Sequence, residues 1–217
     1  MESQVRGGTR WKRFAVVMVP SVAATAAIGV ALAQGALAAS FSVSGQSFKV
    51  TADSLHGDGF SQYGAIDQGY TLAGKSAMHP VAVSAFNTAR IKNMCQSVVT
   101  PNVPVLGSVS LQLTAGNSSD EAKQVHAENL YIDVEDLGAD ATFKGIDIGV
   151  AGGDLSKGPK MKPGEVSQQR ANPYGFAQQA TSADLTGVSQ RAWATTAGTF
   201  KLPGLHMKLM AGTHECP

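Results

Sequence analysis

The sequence predicts an all-β domain behind an N-terminal hydrophobic segment. Three observations lead there. Apolar residues after residue 40 recur at every second position, which is the strand period. The 24 glycines gather with Pro, Asn and Asp into turn signals that separate the apolar runs. The uncharged run from Phe14 to Ser40 follows a basic cluster and differs in texture from everything after it. The alternation fits one domain of antiparallel or mixed sheet, as a sandwich or an irregular β-solenoid.

The first element is the leader, residues 1–39. Arg10, Lys12 and Arg13 precede an uncharged run of 26 residues ending at Ala39. A secretory h-region needs ~7–15 residues and a spanning helix ~20. Length favours a hydrophobic helix that stays as an anchor. The weakly apolar Ala/Val/Gly content and the small-x-small site Ala36-Leu37-Ala38, with cleavage between Ala38 and Ala39, favour a signal peptide. Both readings put residues after 40 outside the cytoplasm, extracellular or on the outer face of its membrane, because the basic flank stays inside. In an exported chain the only two cysteines, Cys95 and Cys216, read as a disulfide.

The strands follow in order. Phe41 and Val43 alternate with serines, and Phe48, Val50 and Ala52 repeat the pattern. Val81, Val83 and Ala85 come next, then Val109, Leu111 and Leu113, then Leu130, Ile132 and Val134. Ile146, Ile148 and Val150 follow, and Leu205, Met207 and Leu209 close the chain. Gly57-Asp58-Gly59, Pro101-Asn102-Val103-Pro104, Gly116-Asn117 and Gly152-Gly153 read as breaks between strands. The stretch at about 153–179 has three prolines, three lysines and many glutamines, and reads as a long exposed loop facing a partner.

Charge excludes one class of partner. The leader carries +3 and the remainder, with 13 basic and 15 acidic residues, −2. The exported part has no basic footprint for nucleic acid. No nucleotide or phosphate fingerprint occurs, and no cofactor is expected.

Catalytic grammar is thin. Ala52-Asp53-Ser54-Leu55 is similar to the Gly-Asp-Ser-Leu block of one lipase family, with Ala in the Gly position. Ser61 lies in Gly59-Phe60-Ser61-Gln62-Tyr63-Gly64, whose second Gly is one place late for a nucleophile elbow. His206 and His214 are the C-terminal candidates for a base, and neither has an Asp three residues before it. These four are weak candidates, and a turn-lining hydroxyl is the alternative for Ser54. The histidines lack metal-site spacing, and no metal is expected. An EF-hand loop from Asp133 would need an oxygen ligand at Leu137 and a Glu at Lys144, and both fail. Asp133 and Glu135 are expected on the polar face of a half-buried strand.

The residues Trp11-Lys12-Arg13-Phe14, Ala38-Ala39-Ser40-Phe41, Ser44-Gly45-Gln46, Phe48-Lys49-Val50, Ala52-Asp53, Leu55 and Gln62-Tyr63-Gly64 carry a resemblance. So does the C-terminal Leu202-Pro203-Gly204-Leu205-His206-Met207-Lys208-Leu209. The chain resembles actinobacterial, mainly streptomycete, exported proteins of unknown function that are often labelled "cholesterol esterase". The resemblance implies an envelope-associated protein whose neighbour is a small polytopic membrane protein. It brings no catalytic residues. The expected function is a non-enzymatic envelope or secreted protein that binds lipid or a membrane protein through an apolar sheet face. A secreted lipid or sterol esterase is the runner-up.

Overall fold

The computed structural model describes residues 42–217. The expected leader, its Ala38–Ala39 cleavage site and Phe41 lie outside the described residues. The chain is predominantly β, 66% strand against 6% helix. The strands are β1 (Phe48–Tyr70), β2 (Ser76–Lys92), β3 (Met94–Val103), β4 (Gly107–Ala115), β5 (Val125–Lys144), β6 (Asp147–Ala151), β7 (Phe176–Thr196), β8 (Thr199–Lys201) and β9 (His206–Ala211). The one α-helix among the described residues, α1, is a single short turn at Pro163–Ser167.

The architecture is neither a sandwich nor a solenoid. β1 pairs with β2, β2 with β5, β5 with β7, and β7 returns to β1, all antiparallel, so four strands close a small barrel. These strands are 23, 17, 20 and 21 residues long. Long strands accumulate enough right-handed twist to coil until the sheet meets its own edge.

A four-stranded barrel has little room inside, and its filling shows it. Ala89, Ala127, Ala180, Ala183 and Ala192 are almost fully buried, with Leu55, Phe60, Phe86, Leu130 and Leu185 as the larger pieces. The small residues that give the sequence its Ala-rich look are lumen residues. This explains why β7 is invisible to a search for alternating large side chains.

Gly57-Asp58-Gly59 is not a break; it lies inside β1. A Cβ on Gly57 would stand 2.2 Å from Phe86 Cδ1, so the glycine makes room for that ring. Gly59, with φ +65°, then lets the inward position move from Gly57 to Phe60. Asn129, with φ +50°, moves it from Ala127 to Leu130 in β5.

β1 has a second role. Its first residues pair with β3, through Lys49↔Ser97 and Val50↔Gln96, before it takes up β2. β3, β4 and β9 extend from there as a three-stranded wing. Cys95 in β3 and Cys216 in the C-terminal tail lie within disulfide distance, their Cα atoms 5.9 Å apart.

The stretch at about 153–179 is not a long exposed loop. Leu155, Met161 and Ala171 are buried against Tyr63, Val81, Val83 and Ala177 on the outer wall of the barrel. Its last residues, from Phe176, belong to β7. The segment has no periodic apolar face because it follows no regular structure. It inserts single side chains into an outer wall that is itself apolar. Of the alternating apolar residues, Ile132 is buried, Leu111 is half-buried in the wing, and Ile148 is 66% exposed on β6.

Candidate functional site

The outer wall beneath this segment holds the described residues' densest chemistry. β1 contributes Tyr63 and Asp67, which point outward four residues apart on one strand face. β5 contributes Asp133, and the segment contributes Lys162, Glu165 and Arg170. Asp67, Asp133, Lys162 and Glu165 are all buried.

Lys162 is the hub. Its Nζ donates to Asp133 Oδ1 at 2.7 Å and Oδ2 at 2.9 Å, and lies 3.0 Å from Glu165 Oε1. Tyr63 O–H donates to Glu165 Oε2 at 2.8 Å and accepts from the Lys162 backbone N–H at 3.1 Å. Burial alone would lower the Lys162 pKa. The charges of Asp133 and Glu165 outweigh it and hold the group above its ordinary value.

Asp67 is the odd member. Its carboxyl lies with those of Asp133 and Glu165, all three offering oxygens within 4.8 Å of one another. Yet the three donors of Lys162 are already spent on the other two. Asp67 Oδ2 is buried without a partner, as are His79 Nε2 and Arg170 Nε. His79 is the direct cross-strand neighbour of Asp67 and stacks on Trp193 at 3.5 Å. Arg170 donates from its terminal nitrogen to Gln68 Oε1 at 2.9 Å. Burial first, then the Asp133 charge, pushes the Asp67 pKa up to about 7.

Three carboxylates this close could share a cation, and the cation that Asp133 and Glu165 share is the Lys162 ammonium. The sequence does not reveal the cluster. Asp133 sits on a strand whose outer face is expected in water, but the segment covers that face, and Asp133 is 3% exposed. The lysines of Lys157-Gly158-Pro159-Lys160-Met161-Lys162 read as solvated, and only a buried partner distinguishes the last. Glu135 remains exposed as expected.

The four esterase candidates do not come together. Ser61 is fully buried and donates to the Pro159 carbonyl at 2.6 Å. Ser54 pairs across to Lys92 and Thr186 within the barrel wall. His206 lies on β9 opposite Thr114, and His214 Nε2 faces the Ala211 carbonyl in the tail. No hydrogen bond joins any two of them. A His–Asp pair exists elsewhere, with His56 Nδ1 2.5 Å from Asp184 Oδ1. The other ring nitrogen of His56 faces Asp58 at 3.7 Å, not a hydroxyl.

The wing offers a surface of another kind. Across it run the rows Gln96↔Leu113↔Met207, Val98↔Leu111↔Leu209 and Thr100↔Val109↔Ala211. Because Val50 of the core pairs with Gln96, these rows continue the barrel's inner face outward. The tail covers the opposite face: Cys216 N–H donates to Ser97 Oγ, and Ser110 Oγ bonds Gly212 and His214. Among the described residues the apolar face has no such cover beyond Gln46, which bonds Thr100 at one edge. Met207 and Leu209 are 59% and 71% exposed, and Val105 and Leu106 at the β3–β4 turn are fully and largely exposed.

The chain matches a family of unknown function (DUF6230) over residues 44–217. No curated protein and no solved structure matches it.

Proposed function

The chain belongs to this family, and we propose that it is an exported, non-enzymatic envelope protein that docks on a lipid surface with the open face of its wing. The observation that carries this reading is the row Val98–Leu111–Leu209. It extends a barrel core face into solvent, with no covering element among the described residues. Apolar patches left open in this way mark membrane or partner contacts.

Lipid is chosen over another protein because the three rows of the wing face carry no charged side chain: Gln96, Leu113 and Met207, then Val98, Leu111 and Leu209, then Thr100, Val109 and Ala211. A face without charge suits an acyl layer better than the polar rim of a protein partner. The absence of a paired nucleophile and base among the esterase candidates supports a binding role over hydrolysis.

Flotation with phosphatidylglycerol-containing vesicles tests the proposal. The wild-type chain floats, and Leu209→Ser combined with Met207→Ser, both at exposed positions, stays soluble and folded but floats several-fold less. Binding to native membranes without binding to protein-free vesicles would assign the wing to a membrane protein and sink the lipid reading. Hydrolysis of a p-nitrophenyl ester that Ser54→Ala or Ser61→Ala abolishes would sink the non-enzymatic one. Fractionation places the protein outside the cytoplasm, and the intact mass of the exported form shows whether residues 1–38 remain.

A further inference from the structure

The covering segment closes on the barrel through a cluster whose charges do not balance. Asp67, Asp133 and Glu165 face Lys162 and Arg170: three carboxylates against two cations, in a region where four of the five side chains are buried. Lys162 and Tyr63 satisfy Asp133 and Glu165. Nothing satisfies Asp67 Oδ2. An unpaired buried carboxylate is among the most expensive groups a fold can hold, and it neutralises itself by taking a proton when no partner is in reach.

We infer that Asp67 is the proton-operated latch of the covering segment: as a neutral carboxyl it lets residues 152–175 close over the barrel, and as a carboxylate it loosens them. The groups that face it come from every element packed there. Tyr63 is on its own strand, His79 on β2, and Tyr131 and Asp133 on β5. Lys162, Glu165 and Arg170 come from the segment. Only Lys162 and Arg170 oppose ionisation penalties, and Lys162 is already engaged. The seam that would open is bordered by a groove of about 640 Å³, lined by Ile66 and Val81 on the barrel side and Val166 and Arg170 on the segment side. Opening the latch therefore remodels a surface groove without touching the wing.

The sign follows from the direction of the shift. Asp67 is held above its ordinary value when the segment is closed. Closure is fully favoured below the ordinary carboxyl range, and this contribution is lost as pH rises through about 7.

Amide hydrogen exchange on the full chain reads this out at Lys162 and Ile66, whose N–H groups cross the seam to the Tyr63 hydroxyl and the Arg170 carbonyl. After correction for intrinsic exchange, the opening constant of these amides should grow about tenfold per pH unit from about pH 5 to about pH 7, then level off. In Asp67→Asn, which is neutral at every pH and nearly the same shape, the constant should stay flat across that range. An unchanged opening constant in the wild type from pH 5 to 8, or an Asp67→Asn profile that parallels it, overturns the latch. So does recovery of protection at about pH 8 on adding calcium chloride alone, which would make the cluster a metal site instead.

Discussion

The ammonium of Lys162 lies 2.7 and 2.9 Å from the two carboxylate oxygens of Asp133, both side chains less than a tenth exposed. The pair ties the covering segment to β5. Removing Lys162 strands Asp133 and leaves Glu165 with Tyr63, whereas removing Asp133 leaves Lys162 paired with Glu165. Lys162→Met should destabilise the domain by about 3–5 kcal/mol in chemical denaturation, and Asp133→Leu by less. The double variant should lose less than the sum, since Asp133 is then no longer stranded by the loss of Lys162. Additive losses would show that the two groups do not act as a pair.

Two glycines on one strand test the barrel's packing. Gly57 has the Phe86 ring where a Cβ would go, whereas Gly64 has nothing within 4 Å. Gly57→Ala should destabilise by about 1–3 kcal/mol as the ring is forced aside. Gly64→Ala should change stability by no more than about half a kcal/mol. Thermal melts of the two variants side by side decide it, and equal tolerance would mean the lumen is looser than described.

The tail is held to the wing by Cys95 and Cys216, separated by 121 positions in the chain. Closing so long a loop restricts the unfolded chain, so reduction should lower stability by roughly 2–5 kcal/mol. The non-reduced mass should be lower by two hydrogens. Labelling of both thiols in freshly isolated protein would contradict the pairing.

Much of the fold was legible before the structure. The alternation at Val81/Val83/Ala85 and Leu130/Ile132/Val134 falls on β2 and β5, and Met207/Leu209 falls on β9, with Leu205 one residue before it. What hid was set by tertiary geometry. β7 packs alanines into a narrow lumen, and alanine carries too little hydrophobic contrast to announce a strand. β3 escaped because its apolar face carries Gln96 and Thr100 beside Val98. The candidate site was less legible still. Asp133 looked like a solvent-facing residue because period two says which face a side chain is on, not what lies over that face. The cover is an irregular segment, and no local pattern in Lys162 or Glu165 says that either is buried.

Tryptophan placed on the two faces of β9 measures the lipid-docking claim most directly. Leu209 lies on the open apolar face and Lys208 on the other, next to each other in the chain. Leu209→Trp emission, read against the unsubstituted chain to remove Trp193 and Trp11, should shift to the blue with phosphatidylglycerol vesicles. Acyl-chain-brominated lipid should quench it. Lys208→Trp should show neither change. If Leu209→Trp stays unquenched while the protein floats with the vesicles, or if both positions are quenched alike, the wing's apolar face is not what meets the membrane.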